Sequence, residues 1–231
     1  MNVKSQRDFL LAELKRHARD AGRFNLAKYL GTSHTLFNVG VPQLRRIAIG
    51  WVKEHKDGNQ LIELIDLLYT GTSREEKVLA SMILGRFPKH LAELNEKYLD
   101  RWLGTLEGWE EVDSMCDEID LWFRADQKKR ERILRKWNRD SQVEKRRASL
   151  VVLCSSVSKD SSVYLADLSF ECIDPLRGEA NVMITKAISW LLRALIKYHK
   201  NEVAKYLKQN TATLPKIAVR EVSRKLETGK K

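Results

Sequence analysis

The chain has 231 residues, 43% of them apolar, and carries 42 Lys and Arg against 31 Asp and Glu, a formal charge of +11 with a pI near 9.6. Such a length and apolar share suit one folded domain or a repeat array with a substantial core, and argue against a disordered chain. The positive excess favours a polyanionic partner, though charge alone does not choose among nucleic acid, membrane and simple solubility.

The N-terminal segment MNVKSQRDFLLAELKRHARD interrupts its apolar residues with charges, unlike a secretory signal. Apolar residues then recur at helical spacing, as at Phe9, Leu10 and Leu14 and again at Val78, Leu79, Met82 and Ile83, while few runs alternate with period two. Pro42 and Pro215 suit a first helical turn and Pro88 a stop, and Pro175 also falls between periodic segments. No segment approaches the roughly 18 consecutive apolar residues of a membrane span. Cys116, Cys154 and Cys172 form an odd set without a CxxC pair or a His at ligand spacing. They indicate neither a disulfide framework nor a metal site, and the expectation is a reduced, cytoplasmic protein. Cys116 reads as a packed thiol.

The segments REEKVLASMIL, EEVDSMCDEI, EKRRASLVVL, TKAISWLLR and LPKIAVREVSRKL recur every 31 to 39 residues when Ala80, Asp113, Ala148, Ala187 and Ala218 are taken as markers. Two helices and two short turns need about that length, close to the periods of helical solenoids. The segments between them, LNEKYLDRWLGTL, QKKRERILRKW and SSVYLADLSFECI, supply the second helix of each pair. No linker or low-complexity tract interrupts the series. The predicted fold is therefore all-α, a HEAT-like helical-repeat solenoid with a concave basic face, forming a single domain over residues 1–231.

Charge is unevenly placed. Residues 102–123 hold seven acids (Glu107, Glu110, Glu111, Asp113, Asp117, Glu118, Asp120) and no Lys or Arg. Some of these suit the first turn of a helix beginning near Trp109, where the macrodipole favours negative charge. Asp113 lies one turn beyond Trp109 on the same face, and Asp117 continues the stripe. From Lys128 to Arg147 the balance reverses, with ten basic residues against three acids. A nucleic-acid backbone contact needs such a run, although a solvated helical face would look the same.

The segments GWEEVDSMCDEI, RRASLVVL and KAISWLLR, with AKYLGTSHTLFNVGVPQLRRIA upstream, resemble the AlkD-type DNA alkylation repair family of HEAT-like repeat DNA glycosylases. The resemblance covers most of the chain. It implies that Asp113 is the catalytic aspartate, with Trp109 and Trp190 as the two pocket tryptophans and Arg147 as the active-site arginine. Tyr29 matches a tyrosine bordering the DNA cleft, Arg193 is implied as a backbone contact, and Arg146 joins Arg147 in the DNA-binding set. The sequence departs from the family pattern at Gly40, at Glu144 before the arginines and at Ala194 after Arg193.

The implied activity is hydrolysis of the N-glycosidic bond of cationic alkylated purines in double-stranded DNA, by a monomer with no cofactor and no metal. A carboxylate beside the sugar stabilises the oxocarbenium-like transition state, and a purine already positively charged leaves without protonation. Two alternatives stand beside it: a non-catalytic binder of bent or branched DNA, and a protein-interaction scaffold. Each residue also has a purely structural reading: Trp190 as core, Trp109 as a buried helix start, Asp113 as a cap or ion-pair partner, Arg147 as a surface residue.

Overall fold

The structure, a computed structural model, describes residues 2–230; the side chains of Gln127, Lys129 and Arg130, two of them in the basic run, lie outside the described set. The helices are α1 (Val3–Arg16), α2 (Leu26–Leu30), α3 (Val41–Glu54), α4 (Leu61–Tyr69), α5 (Arg74–Leu84), α6 (Pro88–Ala92), α7 (Glu96–Leu103), α8 (Gly108–Ala125), α9 (Gln127–Asn138), α10 (Val143–Lys159), α11 (Val163–Ile173), α12 (Val182–Leu195), α13 (Lys200–Asn210) and α14 (Lys216–Thr228). Among the described residues there is no strand, only a bridge between Thr35 and Ser73. The fold is all-α, as the helical periodicity predicts. No helix among these residues is long and apolar enough to cross a membrane.

The chain divides into two compact units, Met1–Trp122 and Phe123–Lys231. Their boundary falls inside α8, so no Gly- or Pro-rich linker marks it in the sequence. In the second unit, α10 packs on α12 and α12 on α14, while α9 and α11 contact each other and both contact α10. This is the stacking of a helical repeat. The markers Ala148, Ala187 and Ala218 are fully buried, where a small side chain lets helix axes approach. α10 is buried continuously from Arg147 to Cys154, the pattern of a helix enclosed on all sides.

In the first unit α5 packs against α3 and α4, and α1 against α4. Every residue of α5 is buried, including the charged first turn Arg74, Glu75, Glu76 and Lys77. The structure pairs these charges internally. Arg7 donates to Glu76 at 2.7 Å. Glu76 closes a capping box with Ser73, and Glu75 accepts the backbone N–H groups of Phe37 (3.1 Å) and Val39 (3.3 Å). Arg74 bonds Glu110, Glu75 and the Val39 carbonyl. Lys77 donates to the carbonyls of Tyr69 (2.6 Å) and Gly71 (2.7 Å). Buried charges persist because each meets an opposite charge or a carbonyl.

Pro42 lies in the first turn of α3, as expected, while Pro215 stands just before the first turn of α14, as its N-cap. Pro88 does more than stop α5, since it opens the short α6. Cys116, Cys154 and Cys172 are free and buried, and burial, first among several causes, pushes the Cys172 thiol up to about 12.

Candidate active site

The start of α8 is built on a contact between two glycines. Gly31, at the C-cap of α2, has φ +75° and Gly108 has φ +72°. A Cβ on Gly108 would lie 2.1 Å from the Leu30 carbonyl oxygen and 2.9 Å from Gly31. Only glycine accepts both the left-handed backbone and this approach. The contact seats α2 against the first turn of α8. The Trp109 indole N–H accordingly donates to the Tyr29 carbonyl at 2.9 Å, and the Tyr29 ring meets the Trp109 ring edge-on, centroids 5.4 Å apart at 86°.

The loop after α2 is latched to the same turn by acids. Glu107 accepts the Ser33 N–H at 2.6 Å and its hydroxyl at 2.7 Å. Glu111, almost fully buried, accepts from Thr32 at 3.2 Å and from the Glu107 N–H at 2.8 Å, with His34 Nδ1 2.9 Å away. Its reach back to an N–H of the helix start follows capping-box logic. Burial opposes the Glu107 charge, but the two Ser33 hydrogen bonds, aided by His34 and Lys77, outweigh it and hold this carboxyl below its ordinary range. Burial pushes the Lys77 ammonium down against the pull of Glu111, Glu76 and Glu107. Glu110 pairs with Arg74.

Three of the seven acids that look like one patch in the sequence thus hold α8 in place. Asp113, one turn past Trp109 on the same helix, is partly exposed, whereas its neighbour Val112 is fully buried. Among the repeat markers Ala80, Asp113, Ala148, Ala187 and Ala218, the four alanines are fully buried and the aspartate reaches solvent.

In the second unit, Arg147 is only 4% exposed, and its guanidinium donates to the Met183 carbonyl at the start of α12. Arg146 grips Glu179 through two hydrogen bonds (2.8 and 3.1 Å) and donates to the Asp140 and Ser141 carbonyls at 2.8 Å. Arg193 bonds the Ser189 carbonyl at 3.1 Å and lies 3.4 Å from Glu221. Of the residues that the family resemblance implies for the site, Asp113 and Trp190 are partly exposed, and Arg147 is enclosed. The basic run is partly neutralised. Glu171 pairs with Arg135 and Glu179 with Arg146 from outside the run, and Glu131 pairs with Arg135 and Asp140 with Lys145 from within it.

Of the six tryptophans, Trp51, Trp102, Trp122 and Trp137 are buried; Trp109 and Trp190 are the two that reach solvent. Trp190→Ala is accordingly expected to destabilise the protein less than Trp102→Ala, which should cost about 3–5 kcal/mol as an emptied core site. Denaturant unfolding of the two variants checks this, and an equal loss would place Trp190 in the core.

Sequence reasoning named Tyr29, Trp109 and Asp113 but not Phe24, Gly31, Thr32, Ser33, His34 or Gly108, which set their positions. The glycines stand inside the quoted segments AKYLGTSH and GWEEVDSM, but nothing local shows that they touch.

An all-α array with these groups on α8, α10 and α12 belongs among helical-repeat proteins, and comparison with known proteins agrees. The solved structures it resembles include a predicted DNA alkylation repair enzyme from Enterococcus faecalis (TM-score 0.72, 19% identity, 88% of this chain and 93% of that one). AlkD2 from Streptococcus mutans is also similar (TM-score 0.64, 15% identity, 96% and 98% covered), as is smu.31 from Streptococcus mutans UA159 (0.58, 16%, 96% and 96%). At these identities the likeness shows the fold. No curated protein matches. The family model described as DNA alkylation repair enzyme matches residues 10–226, and the chain belongs to that family.

Proposed function

We propose that the protein is a monofunctional DNA glycosylase that hydrolyses the N-glycosidic bond of cationic alkylated purines, 3-methyladenine, 7-methylguanine and bulkier N7 adducts, in duplex DNA. The observation that carries this reading is Asp113, a partly exposed carboxylate one helical turn from a tryptophan pinned by Tyr29, in a chain of the DNA alkylation repair family. Bond cleavage leaves positive charge on the deoxyribose. Asp113 stabilises that charge and orients or deprotonates the attacking water. Trp109 and Trp190 offer indole faces to the cationic sugar, at about 0.5–2 kcal/mol each.

Arg146, Arg147, Arg193 and Tyr29 are the proposed DNA contacts. Arg147 and Arg146 exchange the Met183 carbonyl and Glu179 for phosphate oxygens, which suit a guanidinium geometrically and electrostatically. None of the assigned residues is a lysine, so no Schiff base forms and the product is an intact abasic strand. The protein acts as a monomer, and the chemistry calls on no cofactor.

Because no assigned group protonates a neutral leaving base, activity should follow lesion charge. Release of N3-methyladenine and N7-alkylguanine, large adducts included, is expected from damaged duplex, with little release of uracil or 1,N6-ethenoadenine and no loss of activity in EDTA. Base release measured by chromatography decides it. Efficient uracil excision or inactivation by EDTA would overturn the mechanism, and tight binding without release would favour the non-catalytic DNA binder.

A further inference from the structure

Beside the Trp109 turn stands an aromatic edge that the glycosylase chemistry does not use. Phe24 contacts Tyr29, ring centroids 5.4 Å apart at 61°, and Tyr29 in turn contacts Trp109, so three rings run in series. The first two are among the most exposed large hydrophobic side chains of the protein, Phe24 at 64% and Tyr29 at 56%. Asn25 caps α2 by accepting the Lys28 N–H at 2.9 Å, which places Phe24 immediately before the cap and Tyr29 four residues after it. That is the spacing of a hydrophobic staple. The staple explains why Phe24 packs on Tyr29, but not why a chain would leave both rings more than half in water. Arg23 and Lys28 are exposed alongside, and residues 21–35 contain no acid.

Exposed rings flanked by cations suit nucleic acid, with ring faces stacking on bases and cations tracking phosphates. A paired duplex hides its base faces in its own stack, so the ligand must present an unpaired base. We propose that Phe24 and Tyr29 form a stacking edge for an unpaired nucleobase of DNA, positioning the strand beside Trp109 and Asp113. The edge rests on the DNA-binding part of the function proposed above. Phe24 acts as a positioning residue, since it touches DNA away from the reacting bond.

The test uses the full chain and a duplex carrying 2-aminopurine as a single-nucleotide bulge, beside the same duplex fully paired. Wild type is expected to bind the bulged duplex about 10-fold more tightly and to quench its fluorescence, as stacking on one aromatic side chain implies. Phe24→Leu, which keeps the apolar staple but has no ring, should lose both the quench and the preference; Phe24→Tyr should restore them. Equal bulge preference in wild type and Phe24→Leu would overturn the proposal. Excision of alkylated purines by a wild type indifferent to the bulge would sink the stacking edge alone. Phe24-dependent bulge binding without any base release would uphold the edge and sink the glycosylase reading.

Discussion

Asp113→Asn is expected to lower single-turnover release of 7-methylguanine by about 100- to 1,000-fold, the usual effect of losing one preorganised electrostatic stabiliser. Asparagine preserves the size and shape of the side chain and removes its negative charge, so the substitution isolates the electrostatic contribution. The residue is partly exposed on α8, while the latch at the start of that helix is made by Glu107, Glu110 and Glu111. Folding and DNA affinity should therefore stay near wild type, with affinity unchanged or slightly higher once carboxylate–phosphate repulsion is gone. The measurement is a single-turnover time course on methylated duplex, with circular dichroism and a binding isotherm as controls. A rate within about threefold of wild type would leave no transition-state role for Asp113.

Gly108→Ala should be the most damaging methyl addition in the first unit. The left-handed backbone costs an L-residue roughly 1–2 kcal/mol. The new Cβ would lie 2.1 Å from the Leu30 carbonyl oxygen, forcing backbone apart at a further cost of about 1–3 kcal/mol. The expected loss of stability is thus roughly 2–5 kcal/mol, read by denaturant unfolding. Moving α2 away from α8 also releases Trp109 from Tyr29, so excision by the fraction that remains folded should fall as well. Gly22→Ala is the control, because a Cβ there meets nothing within 4 Å. Equal stability of the two variants would show that the close approach of α2 and α8 is not a constraint on the fold.

The all-α class, the order of helices and the repeat interval were legible in the chain because helical periodicity is local: Val78, Leu79, Met82 and Ile83 reveal α5 without knowledge of anything else. The start of α8 near Trp109 could be read for the same reason, from acids clustered where a helix dipole favours them. Asp113, Trp109 and Trp190 were identified by resemblance, since a carboxylate or an indole at helical spacing has several ordinary uses.

The remainder required the tertiary structure, because it depends on partners far apart in the chain. Trp109 is held by a carbonyl 80 residues away, and Glu107 by a serine 74 residues away. The first turn of α5 is charged in sequence yet buried, because Arg7, Glu110 and distant backbone groups satisfy its charges. The basic run between Lys128 and Arg147 promises an open phosphate footing, yet Glu171 and Glu179 compensate part of it, and Arg147 itself is enclosed against α12. Periodicity records which face of a helix turns inward. Which opposite charge, carbonyl or glycine waits there is decided only when the helices pack, and that packing separates the two solvent-reaching tryptophans, Trp109 and Trp190, from the four in the core.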